Sequence, residues 1–243
     1  MSRKISLKQF LLKTGKFERA DDCINTIRSG KAKVNGKVII NPSYFFNPEK
    51  SLVKLNNEKV KAIKKLYFIL SKPAGYLSQK AGNEKTIYEL IDRLDIPEEH
   101  KKSLFAAGRL DKDTEGLMII TNDGRLSDKM MQPGSEITKK YYAVLENPVD
   151  KNKAKMLGKG IEINLEHEKY RTKPCKIKVT GEKEVYITIS EGKKRQIRKM
   201  FEAIGNKVAY LKRVSIGGMQ LGDLKAGEFR QLTREEILEK LEY

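Results

Sequence analysis

Hydrophobic positions along the chain fall into short runs with two periods. Near the N-terminus the period is helical. Leu7, Phe10 and Leu11 share one face, with Ser6 placed to cap that helix and Gly15 to end it. Ala20, Cys23, Ile24 and Ile27 recur at helical spacing, and Ser29-Gly30 closes the second helix. Next comes Lys33-Val34-Asn35-Gly36-Lys37-Val38, where Asn-Gly between two short β-prone runs predicts a hairpin. Leu52 to Leu55, then Asn56-Asn57, predicts one more strand and turn. The lysine-rich stretch from Lys59 to Lys65 reads as a linker. From Leu66 onward strands dominate, over 66–70, 117–121, 141–145, 177–179 and 185–190. Helices are expected over 87–94, where Ile87, Leu90, Ile91 and Leu94 keep helical spacing before Pro97, and over 195–204. A last helix is expected from Thr233, which forms a capping box with Glu236. Strands and helices mix without regular βαβ alternation. The pattern predicts an α+β protein with two domains: a small helical and hairpin domain over 1–65, and a domain over 66–243 with a largely antiparallel mixed sheet flanked by helices.

Composition narrows the class. The 243 residues are 39% hydrophobic, enough for a core. No apolar run reaches the roughly 18 residues of a membrane span, and the N-terminus has no apolar leader with a small-residue cleavage site, so a cytoplasmic protein with no membrane partner is expected. Cys23 and Cys175 lie far apart and read as reduced thiols, and His100 and His167 are isolated, so no metal site is expected. Charge changes the picture more. The net charge is +18, and residues 1–65 hold sixteen lysines and arginines against five aspartates and glutamates, a local excess of +11. Basic excess gathered at one end favours a polyanion partner. Lys8, Lys13, Arg19, Arg28, Lys31 and Lys33 are candidate contacts there.

Candidate chemistry concentrates between Ala106 and Gly124, AAGRLDKDTEGLMIITNDG. A polar loop with a glycine at each end, Gly108 and Gly116, runs into an apolar strand, a setting in which a rigid sheet presents functional side chains. It offers Arg109, Asp111, Asp113, Thr114 and Glu115. Taken alone, such a loop is also compatible with a solvated acidic turn, or with a Mg²⁺-dependent hydrolase built on Asp111, Asp113 and Glu115.

The segment closely resembles the catalytic loop of pseudouridine synthases, G-R-L-D-x-[DE]-[TS]-x-G-L followed by a T-N-D-G-like turn. LSKPAGYLS, Leu70 to Ser78, is similar to that family's N-K-P-x-G strand and turn, and ISEGKKRQIRKMFEAIGNKVAYLKRVSIGG, Ile189 to Gly218, to its final motif. The three occur in family order. Two helices followed by IRSGKAKVNGKVI resemble the alpha-L RNA-binding domain first seen in ribosomal protein S-four, over roughly 3–62. Relatives open the second helix with Ser-Arg-Arg; this chain has Lys16-Phe17-Glu18-Arg19, leaving Arg19 for that role. The combination resembles the ribosomal-RNA branch named for RsuA, with its RluB, RluE and RluF relatives.

The resemblance implies a specific chemistry. Pseudouridine formation breaks the bond from ribose to the uracil ring nitrogen and rejoins the turned base through a ring carbon, so it needs no cofactor. It does need one carboxylate at the ribose, as nucleophile or as base. By motif match that carboxylate is Asp111, with Arg198 pairing to keep it ionised. Tyr141, ending a K-x-Y motif, is implied to stack on the target base, with Tyr142 as the alternative one residue on. Arg109 is the candidate for filling the space a flipped uridine leaves, and Lys194, Arg195 and Lys199 for phosphate contacts. The implied partner is structured ribosomal RNA or an assembling ribosomal subunit, met by a monomer, with the small subunit favoured over the large. The rival is a catalytically silent RNA-binding assembly factor, which would predict loss of the Asp, Tyr or Arg; all three are present. A second triplet, Arg93-Leu94-Asp95, lacks the preceding glycine and the following Thr-x-Gly-Leu and is given no catalytic role.

Overall fold

Residues 4–17, 19–132 and 134–241 are described by the computed structural model. The chain divides into two compact units, Met1–Lys65 with Arg93–Leu104, and Leu66–Asp92 with Phe105–Tyr243.

In the first unit Leu7–Leu12 forms a helix capped by Ser6, whose Oγ accepts from Gln9 N at 3.2 Å while Gln9 Oε1 accepts from Ser6 N at 3.3 Å. Leu7, Phe10 and Leu11 pack with Cys23 and Ile27 of the helix Ala20–Arg28. A four-stranded sheet completes the core, in the order Lys37–Val38, Ala32–Val34, Val53–Leu55, Glu58–Val60. Both of its two-residue turns are left-handed, at Asn35-Gly36 (φ 48° and 83°) and Asn56-Asn57 (φ 48° and 68°). Asparagine and glycine tolerate that conformation at little cost. The strands alternate. Ala32, Val34, Val53, Leu55 and Val60 enter the core. Lys33, Lys54 and Lys59 are in register with one another across three strands on the opposite face.

Two boundaries differ from expectation. Lys59 and Val60 finish the last strand of this sheet, so the linker begins only at Lys61. The helix expected over 87–94 spans Ile87–Ile91, with Thr86 and Glu89 forming a capping box. Apolar spacing carries on to Leu94, but Arg93-Leu94-Asp95 form turns leading to the short helix Glu98–Ser103, and that stretch belongs to the first unit. Tertiary placement overrides local periodicity here.

The second unit is built on a nine-stranded sheet. Its main path runs Lys176–Val179, Glu184–Ile189, Lys139–Leu145, Val208–Ile216, Glu115–Thr121, Tyr67–Lys72, Phe229–Leu232. Among the described strands only the pairing of Val208–Ile216 with Glu115–Thr121 is parallel. The expected α+β class and largely antiparallel mixed sheet are what the structure has. Helices Gly124–Met131 and Arg234–Lys240 contribute Leu126, Met130 and Ile237 to a core with Tyr67, Ile69, Leu117 and Ile119. The expected T-N-D-G turn ties this core to the start of the unit. Leu66 N donates to Asn122 Oδ1 (2.8 Å), Thr121 Oγ1 donates to the Leu66 carbonyl (2.7 Å), and Tyr67 Oη donates to Asp123 (2.9 Å).

One lateral row of this sheet positions the site. Tyr141 pairs with Arg213, Arg213 with Gly116, and Gly116 with Lys72. Gly116 cannot carry a side chain. Its φ is +103°, and a Cβ there would lie 2.2 Å from the Arg213 carbonyl oxygen. Gly116→Ala is therefore expected to lower the unfolding free energy by about 3 kcal/mol through overpacking and backbone strain. Urea denaturation monitored by circular dichroism measures it; a change below about 1 kcal/mol would mean the two strands part without cost.

Candidate active site

The loop between Arg109 and Glu115 is held from below by the Leu70–Ser78 segment. Ser78 Oγ accepts from Leu110 N (3.0 Å) and donates to the Leu110 carbonyl (2.6 Å), gripping the residue before Asp111 from both sides. Gly75 N donates to the Lys112 carbonyl (2.8 Å). Lys72 is fully buried, and its ammonium donates to the carbonyls of Pro73 (3.0 Å), Lys112 (3.3 Å) and Thr114 (2.9 Å). Burial pulls its pKa down to about 8, against the pull of Asp113, Glu115 and Asp111. The loop itself closes as a turn, Thr114 N donating to the Asp111 carbonyl at 3.1 Å.

Above this support lies a cleft of about 700 Å³. Asp111, Tyr141, Arg109, Lys194 and Arg195 all line it. The Asp111 carboxylate has no hydrogen bond or ion pair among the described residues. Tyr141 is 8% exposed and faces the cleft. Tyr142, one step along the strand, packs in an aromatic cluster with Tyr186 (5.4 Å between ring centroids) and Tyr210 (6.3 Å) and does not reach the cleft. Of the two tyrosines, only Tyr141 is placed to meet a base there.

Arg198 is not where the motif implied. It is buried, and it pairs with Asp113 rather than Asp111: Nη2 lies 3.1 Å from the Asp113 carboxylate, and Nη1 donates to the Val208 carbonyl at 2.8 Å. The physical reason is the turn. Asp111 and Asp113 are two residues apart around it; Asp111 lines the cleft, whereas neither Asp113 nor Arg198 does. The helix Gln196–Ala203 therefore fastens the far side of the loop. Arg195, in a left-handed conformation just before that helix, adds a second bond to Asp113 at 3.2 Å.

The other cations divide by surroundings. Lys194 is exposed and pairs with Glu166, and Lys199 is half-buried outside the cleft. Exposed pairs such as Lys194 with Glu166 are worth little in water, so an incoming phosphate can displace them. Arg109 is exposed at the cleft. In the first unit, Arg19, Arg28, Lys31 and Lys13 are exposed, Lys8 is half-buried, and Lys33 donates to Asn57 Oδ1 at 3.0 Å.

Residues 66–203 match the RNA pseudouridylate synthase family. The chain belongs to that family. As a pseudouridine synthase it has close relatives along nearly its whole length. It is 36% identical over 241 residues to an uncharacterized RNA pseudouridine synthase of Aquifex aeolicus, covering 96% of this chain and 92% of that one. It is 38% identical over 213 residues to ribosomal small subunit pseudouridine synthase A of Escherichia coli strain K12, covering 87% of this chain and 89% of the relative. A crystal structure of a pseudouridylate synthase superposes with a TM-score of 0.67 at 34% identity, covering 98% of this chain and 99% of that one. The RsuA branch suggested by the motifs is the branch these relatives support.

Several residues of this pseudouridine synthase's site escape motif reading. Glu191 accepts from Gln196 Nε2 (2.6 Å), from Lys173 N (2.9 Å) and from Tyr170 Oη (2.5 Å). It thereby joins the hairpin of Glu162–Asn164 and Lys169–Arg171 to the cleft wall, and its bond is the main reason the Tyr170 pKa rises to about 12. Lys72 was visible as a lysine ending an apolar run before a proline. Lys54 and Lys59, in one row with Lys33, were visible only as alternate positions of short strands.

Proposed function

We propose that this pseudouridine synthase isomerises a specific uridine in structured ribosomal RNA, of the small subunit, acting as a cytoplasmic monomer. Asp111 is the reacting carboxylate and Tyr141 the stacking platform. The observation that carries the reading is a carboxylate with no hydrogen bond or ion pair among the described residues, sharing one cleft with a buried tyrosine. A carboxylate left unpaired at the mouth of a cleft is free to act on a ribose, and a flipped pyrimidine finds a π-face at Tyr141. The relative in Escherichia coli is named for the small ribosomal subunit, which supports that choice of RNA. Arg109, exposed at the cleft, is assigned to the space a flipped base vacates. Arg198 and Arg195 hold the loop through Asp113, so the arginine of the motif positions Asp111 from behind rather than touching it.

The test compares pseudouridine maps of both ribosomal RNAs in cells with and without this gene. One lost site in the small-subunit RNA is expected. Loss confined to the large subunit would correct the RNA; no lost site would leave a transfer or other RNA target or the silent assembly factor, and incubation with unmodified transcripts chooses between them.

The first unit is assigned to RNA docking, as an alpha-L-like domain using Lys8, Lys13, Arg19, Arg28, Lys31 and Lys33 together with the Lys33–Lys54–Lys59 row. Like charges opposite one another on neighbouring strands repel, so the row costs stability and is kept for another use. Replacing all three by glutamine is expected to make the salt dependence of RNA binding shallower, by about two in the log–log slope. The same change should leave the melting temperature unchanged or raised. Filter binding across a salt series, with a thermal melt alongside, checks both. An unchanged slope would remove the row from the interface.

A further inference from the structure

Among the cations that line the cleft, Arg213 is the most buried, at 3% exposure. Its Nε donates to the Leu117 carbonyl at 2.7 Å, while Nη2 is enclosed with no hydrogen-bond partner. No carboxylate pairs with it among the described residues. A guanidinium does not shed its proton, so the fold retains an uncompensated positive charge at a cost in stability. Thr114 Oγ1, also lining the cleft, is likewise buried without a partner. Among the described residues, the cleft wall thus holds one guanidinium nitrogen and one hydroxyl without a hydrogen-bond partner.

Sheet register indicates which anion belongs there. Arg213 is the direct neighbour of Tyr141 on one side and of Gly116, at the exit of the Asp111 loop, on the other. A pyrimidine stacked on Tyr141 would thus be brought beside the residue that neighbours it across the sheet, Arg213. Phosphates have other partners: Lys193, Lys194 and Arg195 are exposed, where a hydrated dianion can stay in contact with water. An enclosed, tethered guanidinium suits a charge that develops inside a planar ring and leaves again. Its field is felt next door at Lys139, where burial and then Arg213 hold the ammonium below the ordinary lysine range.

We propose that Arg213 is a further catalytic residue, the guanidinium that receives the negative charge left on the uracil ring when its bond to ribose breaks. The proposal rests on the reading of Asp111 and Tyr141 above. In that step the C1′–N1 bond breaks and its electron pair stays on the ring, spread over N1 and the carbonyl oxygens. The sugar either bonds to the Asp111 carboxylate or gives its 2′ proton to it. The ring then turns and C5 bonds to C1′; in the same step the Asp111–C1′ bond breaks, or Asp111 returns the proton to C2′. C5 then loses its proton and N1 gains one, so Asp111 is regenerated and the product is an isomer. Arg213 donates a hydrogen bond to the ring anion and is itself unchanged. A donor preorganised toward charge that exists only after bond breaking accelerates the step without tightening substrate binding.

The test measures single-turnover conversion of an unmodified ribosomal RNA transcript at saturating protein, beside the dissociation constant for that transcript. In Arg213→Met the rate at saturation is expected to fall by about 100-fold or more, with the dissociation constant within about threefold of wild type. Arg213→Lys, which keeps the charge, is expected to recover about tenfold of that loss. Weaker binding with an unchanged saturating rate would make Arg213 a phosphate anchor and overturn the proposal. If Arg213→Met loses the wild-type near-ultraviolet circular dichroism, Arg213→Lys decides alone, and a wild-type rate at saturation overturns the proposal. Wild-type protein that converts no ribosomal transcript overturns the parent reading and this one together; active wild type beside an equally active variant overturns only this one.

Discussion

Asp111→Ala is expected to abolish pseudouridine formation, lowering the single-turnover rate by about 10⁴-fold or more, while RNA binding stays within a few-fold of wild type. The expectation follows from what surrounds the side chain. Among the described residues the Asp111 side chain has no hydrogen bond or ion pair, and the turn around it is closed by backbone groups and by Ser78 and Lys72 acting on Leu110, Lys112 and Thr114. Removing the carboxylate should therefore cost chemistry and not structure. Conversion of a transcript, read by chemical mapping, with binding measured on the same RNA, separates the two. Asp113→Ala should behave in the opposite way. That carboxylate is held by Arg195 and Arg198, so its loss should loosen the loop and leave a measurable residual rate. A pair of variants in which Asp113→Ala is dead and Asp111→Ala retains activity would move the reacting group two residues along.

Lys72→Met is expected to destabilise the protein by about 3–5 kcal/mol and to lower activity with it, because it strips three carbonyls of their donor inside the fold. The titration of Lys72 gives a second, independent signature. Its folded pKa of about 8 lies below the ordinary lysine value of 10.5, with burial as the main cause. Native protein releases this proton first. Between those two values the unfolded chain binds more protons, so the stability contributed by this group rises with pH; it is complete above 10.5 and lost as pH falls through about 8. Activity should run the other way. Deprotonation takes one donor from the carbonyls under the Asp111 loop, so the saturating rate should decline as pH rises through about 8. Unfolding free energies of wild type and Lys72→Met between pH 7 and pH 10.5 are expected to diverge as pH increases. Parallel curves would mean the lysine keeps its proton throughout.

The legible and illegible parts of this protein differ in kind. Strands such as Tyr67–Lys72 and Glu115–Thr121 announced themselves as apolar runs bounded by turn residues, and the Thr233–Glu236 capping box marked its helix to the residue. The motifs singled out Asp111 and left Tyr141 and Tyr142 open on opposite faces of one strand; of these, Asp111 and Tyr141 line the cleft. What local reading could not supply was the partner of a side chain. The helix carrying Arg198 was expected in the right place, yet whether its guanidinium meets Asp111 or Asp113 depends on which side of a tight turn faces the helix. Arg213 and Lys72 are 141 positions apart in the chain and share one row only because of the register of two strand pairings, both through Gly116. Long-range register is written in no single segment. The helix over 87–94 ended early for a related reason: its apolar spacing runs on to Leu94, but Arg93–Leu104 is grouped with the other unit.

The grouping of Arg93–Leu104 with the N-terminal unit matters to anyone wishing to graft or swap pieces of this enzyme. Because Arg93–Leu104 is grouped with the N-terminal unit while the residues before and after it are grouped with the other, the chain passes from one unit to the other three times. The N-terminal unit is therefore not a detachable cassette on a single tether. A cut at residue 65 would strand twelve residues of it inside the remaining piece, with the side chains that complemented them gone. Chimeras that exchange the N-terminal unit between relatives would need to carry Arg93–Leu104 along with it, as an internal graft accompanying the terminal one.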